Sequence, residues 1–365
     1  MTQLDIIPAR ETGVWTRTVE RCDGYDVYHL PEYHLLAEPQ EKGAGVLFAY
    51  HEDDAVAAWP FLLREISAID GLETAGAGHR DMTSVYGYPG PIWNTAATQR
   101  EGFFERFQAA VEQAAREMHV VSMFSRMSPV LMNAERFGTI GVLEKMGQTV
   151  SIDLTEPEEM QRHGYRKGHR EGIRNAVRQG CGAFHDVALE HFDTFIALYY
   201  ETMTRVGADA RYFFDQEYFT SLRALLGPRL QLFVATCNGE PCSAGLFIRT
   251  GAIVQFHLAG STEVGLQHAG AKLVVDEARR WATAAGAHHL HLGGGVGSKE
   301  DGLFAFKSGF SGKRHDFLVW KNILQTDLYR DLLRTRKDHF SLQGCDLTDD
   351  NFFPAYRATP VRTAV

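Results

Sequence analysis

The sequence predicts an α/β (α+β) protein built from two similar units with mixed sheets. Three observations predict it. The chain has 365 residues, 44% hydrophobic and 23% charged, the size and balance of an ordinary two-domain globular protein. A hairpin–helix–strand order occurs twice, and helix-start residues separate the two occurrences. The expected domains are residues 1–154 and 155–336, followed by a loosely packed tail, 337–365, that has no sustained hydrophobic period.

Each element follows from local pattern. In "GVLFAYHEDDAVAAWPFLLRE" (45–65) two apolar runs flank His51-Glu52-Asp53-Asp54, which reads as a hairpin. "FFERFQAAVEQAAREMHVVSMFSRM" (103–127) reads as an amphipathic helix running into a short strand. "TVSIDLTEPEEM" is a strand followed by a helix start, with Thr155 able to cap and Pro157 in the first turn. In "LQLFVATCNGEPCSAGLFIRTG" (230–251) Asn238-Gly239 is a strong hairpin signal. "IVQFHLAGST" (253–262) alternates as a strand. "AKLVVDEARRWATAAGAHHLHLGGG" (271–295) repeats the helix, with Gly286 as terminator and His289–Leu292 as the strand.

Composition excludes several classes. A net charge of −9 argues against a general nucleic-acid binder without excluding one local basic patch, and DNA is not an expected partner. The first fifteen residues lack a basic segment leading into an apolar run, so no signal peptide is expected. No apolar stretch approaches the roughly 20 residues of a membrane helix, so no membrane insertion is expected. Cys22, Cys181, Cys237, Cys242 and Cys345 are odd in number and scattered, which predicts reduced thiols and a cytoplasmic location. Within the triplet His288, His289 and His291, only His289 and His291 share a strand face and no third ligand stands at a recognisable spacing, so no metal is expected.

Two segments carry the chemistry. In "RHGYRKGHREGIRNAVRQGCG" (162–182) Arg166, Arg170, Arg174 and Arg178 are four apart, and Lys167 adds to them. On a helix they form one stripe, with Ile173, Ala176 and Val177 on a packing side. Unpaired like charges at this spacing, mostly guanidinium, favour an external polyanion as readily as a solvated face. The second segment, "HLHLGGGVGSKEDGLFAFKSGF" (289–310), offers neither the spacing of a P-loop nor Gly-x-Gly-x-x-Gly.

"YRKGHREGIRNAVRQGC" resembles the basic helix of the Fem-type aminoacyltransferases and their GNAT-like acyltransferase relatives. "GAHHLHLGGGVGSKEDGLFAFKSGFSG" resembles their C-terminal stretch, in which a Gly-rich bend precedes Gly302-Leu303, Phe306-Lys307 and Phe310. "DMTSVYGYPGPIWN" and "FSRMSPVLMN" look like the same group. The resemblance implies two tandem GNAT-like domains facing a shared cleft. It also implies transfer of an acyl group, often an amino acid from aminoacyl-tRNA, to the amine of a small-molecule or peptide acceptor. No heptad run long enough for the coiled-coil arm of some Fem proteins occurs.

On that reading Lys307 is the expected electrostatic catalyst and His257, in a strand, a candidate proton carrier. Arg166, Lys167, Arg170, Arg174 and Phe306 are expected to bind substrate. Tyr86 and Tyr88 are expected to line the acceptor pocket or plug an interface. No tightly bound cofactor is expected, aminoacyl-tRNA being a co-substrate. Acyl-CoA is the alternative donor, since Gln267-His268-Ala269-Gly270-Ala271-Lys272 resembles the GNAT pyrophosphate loop except at Lys272. A non-catalytic duplicated scaffold that binds a ligand or partner is the second alternative.

Overall fold

The computed structural model describes residues 2–137, 140–347 and 352–362. The chain forms two compact units, residues 1–146 with 317–365, and residues 147–316.

The first unit opens with β1 (Thr2–Pro8), α1 (Thr12–Glu20) and α2 (Pro31–Glu41). The expected hairpin follows as β2 (Gly43–Glu52) and β3 (Ala55–Glu65), with only Asp53 and Asp54 left in its turn. Arg100 holds both of these carboxylates, at 3.2 and 2.7 Å. Then come β4 (Arg80–Thr83), β5 (Ile92–Trp93), α3 (Thr95–Thr98), α4 (Phe103–Glu117) and β6 (Val120–Arg126). Strands β1 to β4 pair antiparallel in chain order. The α4 crossover then sets β6 parallel to β4, as its connection length requires. Aromatic side chains fill the core, among them Phe48, Trp59, Phe61, Phe103 and Phe107.

The second unit repeats this order. β7 (Val142–Asp153) carries the chain into it, followed by α5 (Glu158–His163), α6 (Lys167–Arg178) and β8 (Cys181–Asp186). Next come α7 (Phe192–Arg205), α8 (Gln216–Leu226), β9 (Leu230–Cys237), β10 (Glu240–Thr250) and β11 (Ile253–Ser261). The unit continues with α9 (Glu263–Gln267), α10 (Gly270–Ala284), β12 (His289–Gly293) and α11 (Gly302–Lys307). Strands β8 to β11 are antiparallel and β12, after the α10 crossover, is parallel to β11. The repeated order is therefore a repeated topology: four antiparallel strands, a helix, and a parallel fifth strand.

Each unit gains a sixth strand outside this repeat: the second from the segment that leads into it, the first from a segment that returns after the second. Residues 150–153 of β7 pair antiparallel with β12. After β12 the chain forms β13 (Arg314–Ile323), whose residues 319–323 pair antiparallel with β6. Its Trp320 packs 4.8 Å from Trp59 in the first core. The division consequently falls at 146/147, where the sequence places it at 154/155, and residues 317–336 fall in the first unit. Among the described residues the longest helix is α12 (Thr326–Ser341), sixteen residues, and no coiled-coil arm is present.

Three local expectations change. Thr155 does not cap a helix; its hydroxyl donates to Asp153 at 2.6 Å, and α5 begins after Pro157. The described residues after 336 are not loosely packed. Phe340, Leu347 and Ala358 form a buried cluster, and buried Tyr356 shares a 2.9 Å hydrogen bond with Ser122. The cysteines are not all reduced, because Cys181 and Cys237 form a disulfide. They stand opposite each other in the β8–β9 register, an adjacency that their separation of 56 residues conceals. Among the described residues no helix is long and apolar enough to cross a membrane.

Candidate active site of the second unit

β12 follows β11 for only three residue pairs, ending at Gln255↔His291. It then turns away through Gly293, whose φ of 77° favours glycine. At Gly295 a Cβ would lie 2.0 Å from the Lys299 carbonyl oxygen, so only glycine lets this loop fold onto itself. The bend leaves the next residues of β11, Phe256 to Ala259, half-buried. Here β11 also bulges: Leu246 faces Leu258 and Phe247 faces Phe256, leaving His257 as the extra residue.

The loop delivers α11 to this place. Asp301 caps the helix by accepting from the Phe304 N–H at 2.9 Å and secures the loop by accepting from Val296 at 3.0 Å. Lys307 ends the helix, donating from Nζ to the Gly294 carbonyl at 2.7 Å and standing 6.0 Å from the Phe256 ring centre. Burial pushes its ammonium down to about 8, opposed by the charge of Asp301. Phe306 is half-buried, with its ring 5.3 Å from that of Phe310.

The basic helix packs against this motif. His169 of α6 donates from Nε2 to the Phe306 carbonyl at 2.9 Å, since a carbonyl can only accept. Burial pushes the imidazole down to about 4, so it stays neutral. Gly309 lies against it, where a Cβ would come within 2.2 Å of the ring. The Arg166 backbone N–H donates to the Gly309 carbonyl at 2.8 Å.

The arginine stripe divides in the structure. Arg170 is half-buried and turns back to donate to the carbonyls of His163, at 2.8 Å, and Tyr165, clamping its own approach loop. Arg166, Lys167, Arg174 and Arg178 are exposed. Lys167 stands 3.8 Å from Glu171. Lys272, in the first turn of α10, joins the basic group: a Cβ on Gly172 would lie 3.1 Å from its Nζ. Burial, and then Arg166, lower its pKa. In the sequence Lys272 reads only as a departure from a phosphate loop.

His257 is half-buried, with Nε2 3.1 Å from the Tyr218 hydroxyl, and burial pushes it down to about 4. His291 is fully buried, 2.8 Å from the Gln255 side-chain oxygen, and is pushed well below its ordinary range by burial and then by His315 and Lys307. Among the described residues no group of three His, Cys, Asp or Glu could hold a metal ion. Tyr86 and Tyr88 belong to the first unit, on the loop after β4. Tyr86 is 64% exposed, whereas Tyr88 packs edge-on against Tyr28 and Phe317, at 5.9 and 5.2 Å.

Residues 163–308 match the family model described as an acetyltransferase (GNAT) domain. Among solved structures the chain is similar to FemX, with a TM-score of 0.67 at 12% identity over 90% of this chain and 99% of that one. It is similar to a conserved protein of Bacteroides thetaiotaomicron VPI-5482, with a TM-score of 0.54 at 10% identity over 88% and 100%. It is also similar to the C-terminal domain of a protein named as a lysylphosphatidylglycerol synthetase of Agrobacterium fabrum, at 0.53 and 14% over 89% and 95%. No curated protein matches the chain in sequence. These likenesses show the fold: the chain shares the architecture of FemX over most of its length, and residues 163–308 of it match a GNAT domain.

Proposed function

We propose that this GNAT-fold chain is an acyltransferase that forms an amide bond, moving an aminoacyl group from aminoacyl-tRNA to the amine of a small-molecule or peptide acceptor. The observation that carries the reading is the placement of Lys307. Its ammonium is half-buried and partly desolvated, fixed by the Gly294 carbonyl and set against Phe256 where β11 leaves β12. A fixed cation in a water-poor place stabilises the oxyanion that forms when an amine nitrogen attacks an ester carbonyl. As the tetrahedral species collapses, the ester C–O bond breaks and the leaving ribose oxygen takes the proton released by the amine. His257, neutral through burial, is a weak base there, and Lys307 is the stronger assignment.

Exposed Arg166, Lys167, Arg174 and Arg178 support a polyphosphate donor, bound as a co-substrate and not as a resident cofactor. Charged tRNA as donor places the reaction in the cytoplasm. Acyl-CoA is the second reading of the donor, favoured by Lys272 in the first turn of a fifteen-residue helix whose N-terminus attracts phosphate.

Incubation of the protein with charged tRNA, and separately with acetyl-CoA, against an amine library read by mass spectrometry tests both. Amide product from charged tRNA alone supports the first donor, and product from acetyl-CoA alone replaces it with the second. No product from either would leave a ligand-binding scaffold.

A further inference from the structure

The loop between β4 and β5, in the first unit, is pinned from three sides. Gly87 has φ 138°, and a Cβ there would come within 2.2 Å of the Tyr28 ring, which packs directly on the backbone. Buried His29 and Asn133 both donate to the Pro89 carbonyl, at 2.6 and 2.9 Å. His29 donates through Nε2 because its Nδ1 already accepts the Asp26 N–H at 3.0 Å. Tyr86, on this fixed loop, nevertheless leaves 64% of its surface exposed.

Arg126, the last residue of β6, reaches the same loop. Its guanidinium carbon lies 5.5 Å from the Tyr86 ring centre and 5.2 Å from that of Phe124. Among the described residues the one hydrogen bond its side chain donates is long, 3.4 Å from Nη1 to the Val85 carbonyl. The residue is half-buried, and among the described residues no carboxylate stands within ion-pair distance of it. Glu41, the acidic group that acts on it from further away, is held by Arg64 at 3.1 Å. Burial lowers the guanidinium pKa, Glu41 and the two tyrosines oppose this, and Arg64 adds repulsion.

Packing against rings occupies the faces of a guanidinium and leaves its in-plane donors open. A partly desolvated cation with unused donors is costly alone, and a bidentate oxyanion satisfies two donors at once. We propose that Arg126 and the exposed ring of Tyr86 form an oxyanion-binding site in the first unit, which takes a phosphate or carboxylate carried on a flat apolar group. The oxyanion pairs edge-on with Arg126 while the flat group lies on Tyr86. The site goes beyond the transfer reading and is tested by binding alone, so a failure here is distinct from a failure of Lys307.

Calorimetric titration of the full chain with phenyl phosphate, benzoate and uncharged benzamide provides the test. At least one anion should bind, and benzamide should bind far more weakly. Whichever anion binds more tightly identifies the head group. Arg126→Gln should weaken anion binding about 10- to 100-fold, the scale for losing a charged hydrogen-bond partner. Arg126→Lys should keep part of the affinity, and Tyr86→Ala, a surface change that spares folding, should lower it several-fold. Exposed Arg10→Gln removes the same charge and should change nothing. Binding by Arg126→Gln as tight as wild type would overturn the site, as would an equal loss in Arg10→Gln. Wild-type protein that takes up neither anion would also overturn it. Should Arg126→Gln not fold, Tyr86→Ala and Arg126→Lys decide in its place, and affinity unchanged in both would count against it.

Discussion

Lys307 is the residue whose chemistry the sequence and the structure approach from different sides. The Phe-Lys-x-x-Phe spacing singles it out in the chain, but its hold on the Gly294 carbonyl and its loss of water are tertiary facts. If its charge acts on the transition state, Lys307→Ala should lower kcat and kcat/KM together by about 10²–10³-fold and leave KM nearly unchanged. Lys307→Arg should restore only part, because a planar fork delivers charge with different geometry. Its pKa of about 8 adds a pH signature. The ammonium dominates below that value and is lost above it, so turnover should decline as pH rises through about 8. A turnover profile that stays flat well above that pKa, on a folded enzyme, would remove Lys307 from the charge-stabilising role. His169 and Lys272 are not legible in this way. Each acts through a neighbour about a hundred residues or more distant in sequence, and nothing in the local pattern signals that adjacency.

At the scale of elements, periodicity reveals the basic helix, because arginines four apart on an amphipathic segment leave few alternatives. It does not reveal that Arg170 points back to the loop before the helix. The consequences of substitution should divide accordingly. Arg166→Ala and Arg174→Ala should weaken binding of charged tRNA and reduce the salt slope by about one for each phosphate no longer neutralised. Arg170→Ala should chiefly lower Tm, since two carbonyls are then without their donor. Filter binding across a salt series, alongside thermal melts, separates the two. A salt slope unchanged in the Arg166/Arg174 double variant would make the helix a solvated face. Another element carries a pH dependence that hydrophobic patterning cannot show. His29, just before α2, and His34, on it, are buried and pushed down to about 4. The unfolded chain, with ordinary imidazoles near 6.5, binds more protons between these values. Stability should therefore fall as pH drops from about 6.5 to 4 and stop falling on this account below 4. Each histidine accounts for a few kcal/mol at most. His34→Gln should flatten that slope in chemical denaturation, and a slope identical to wild type would show that His34 is not held neutral.

At the scale of the molecule, the repeated hairpin–helix–strand order is legible because each repeat is contiguous in the chain. The ownership of the sixth strands is not, because β7 and β13 read as ordinary strands wherever they pair. Nothing local distinguishes a strand that completes the unit just built from one that completes another. Trp320 shows what depends on this. It is 1% exposed, packs on Trp59 and donates to the Ile140 carbonyl at 2.7 Å. Beyond it, Arg357 reaches the fully buried Asp81, which Arg64 also holds at 2.8 Å. A chain cut after Asp316 thus loses the strand that pairs with β6, a core tryptophan and one of the two cations on a buried carboxylate. Each loss is of a kind that costs several kcal/mol, comparable together with the whole stability of a domain. Residues 147–316 keep every strand of their own unit. The truncated chain should therefore contain one folded unit and one that is not. The tryptophans report this separately, since Trp15, Trp59 and Trp93 lie in the first unit and Trp281 in the second. Emission from the first three should shift to the red while Trp281, isolated by Trp→Phe changes at the others, keeps its native spectrum. Limited proteolysis should leave a resistant fragment close to residues 147–316. A truncated chain that melts in one transition at the wild-type temperature would mean that β13 is dispensable to the first unit, in favour of a second domain that extends through residue 336.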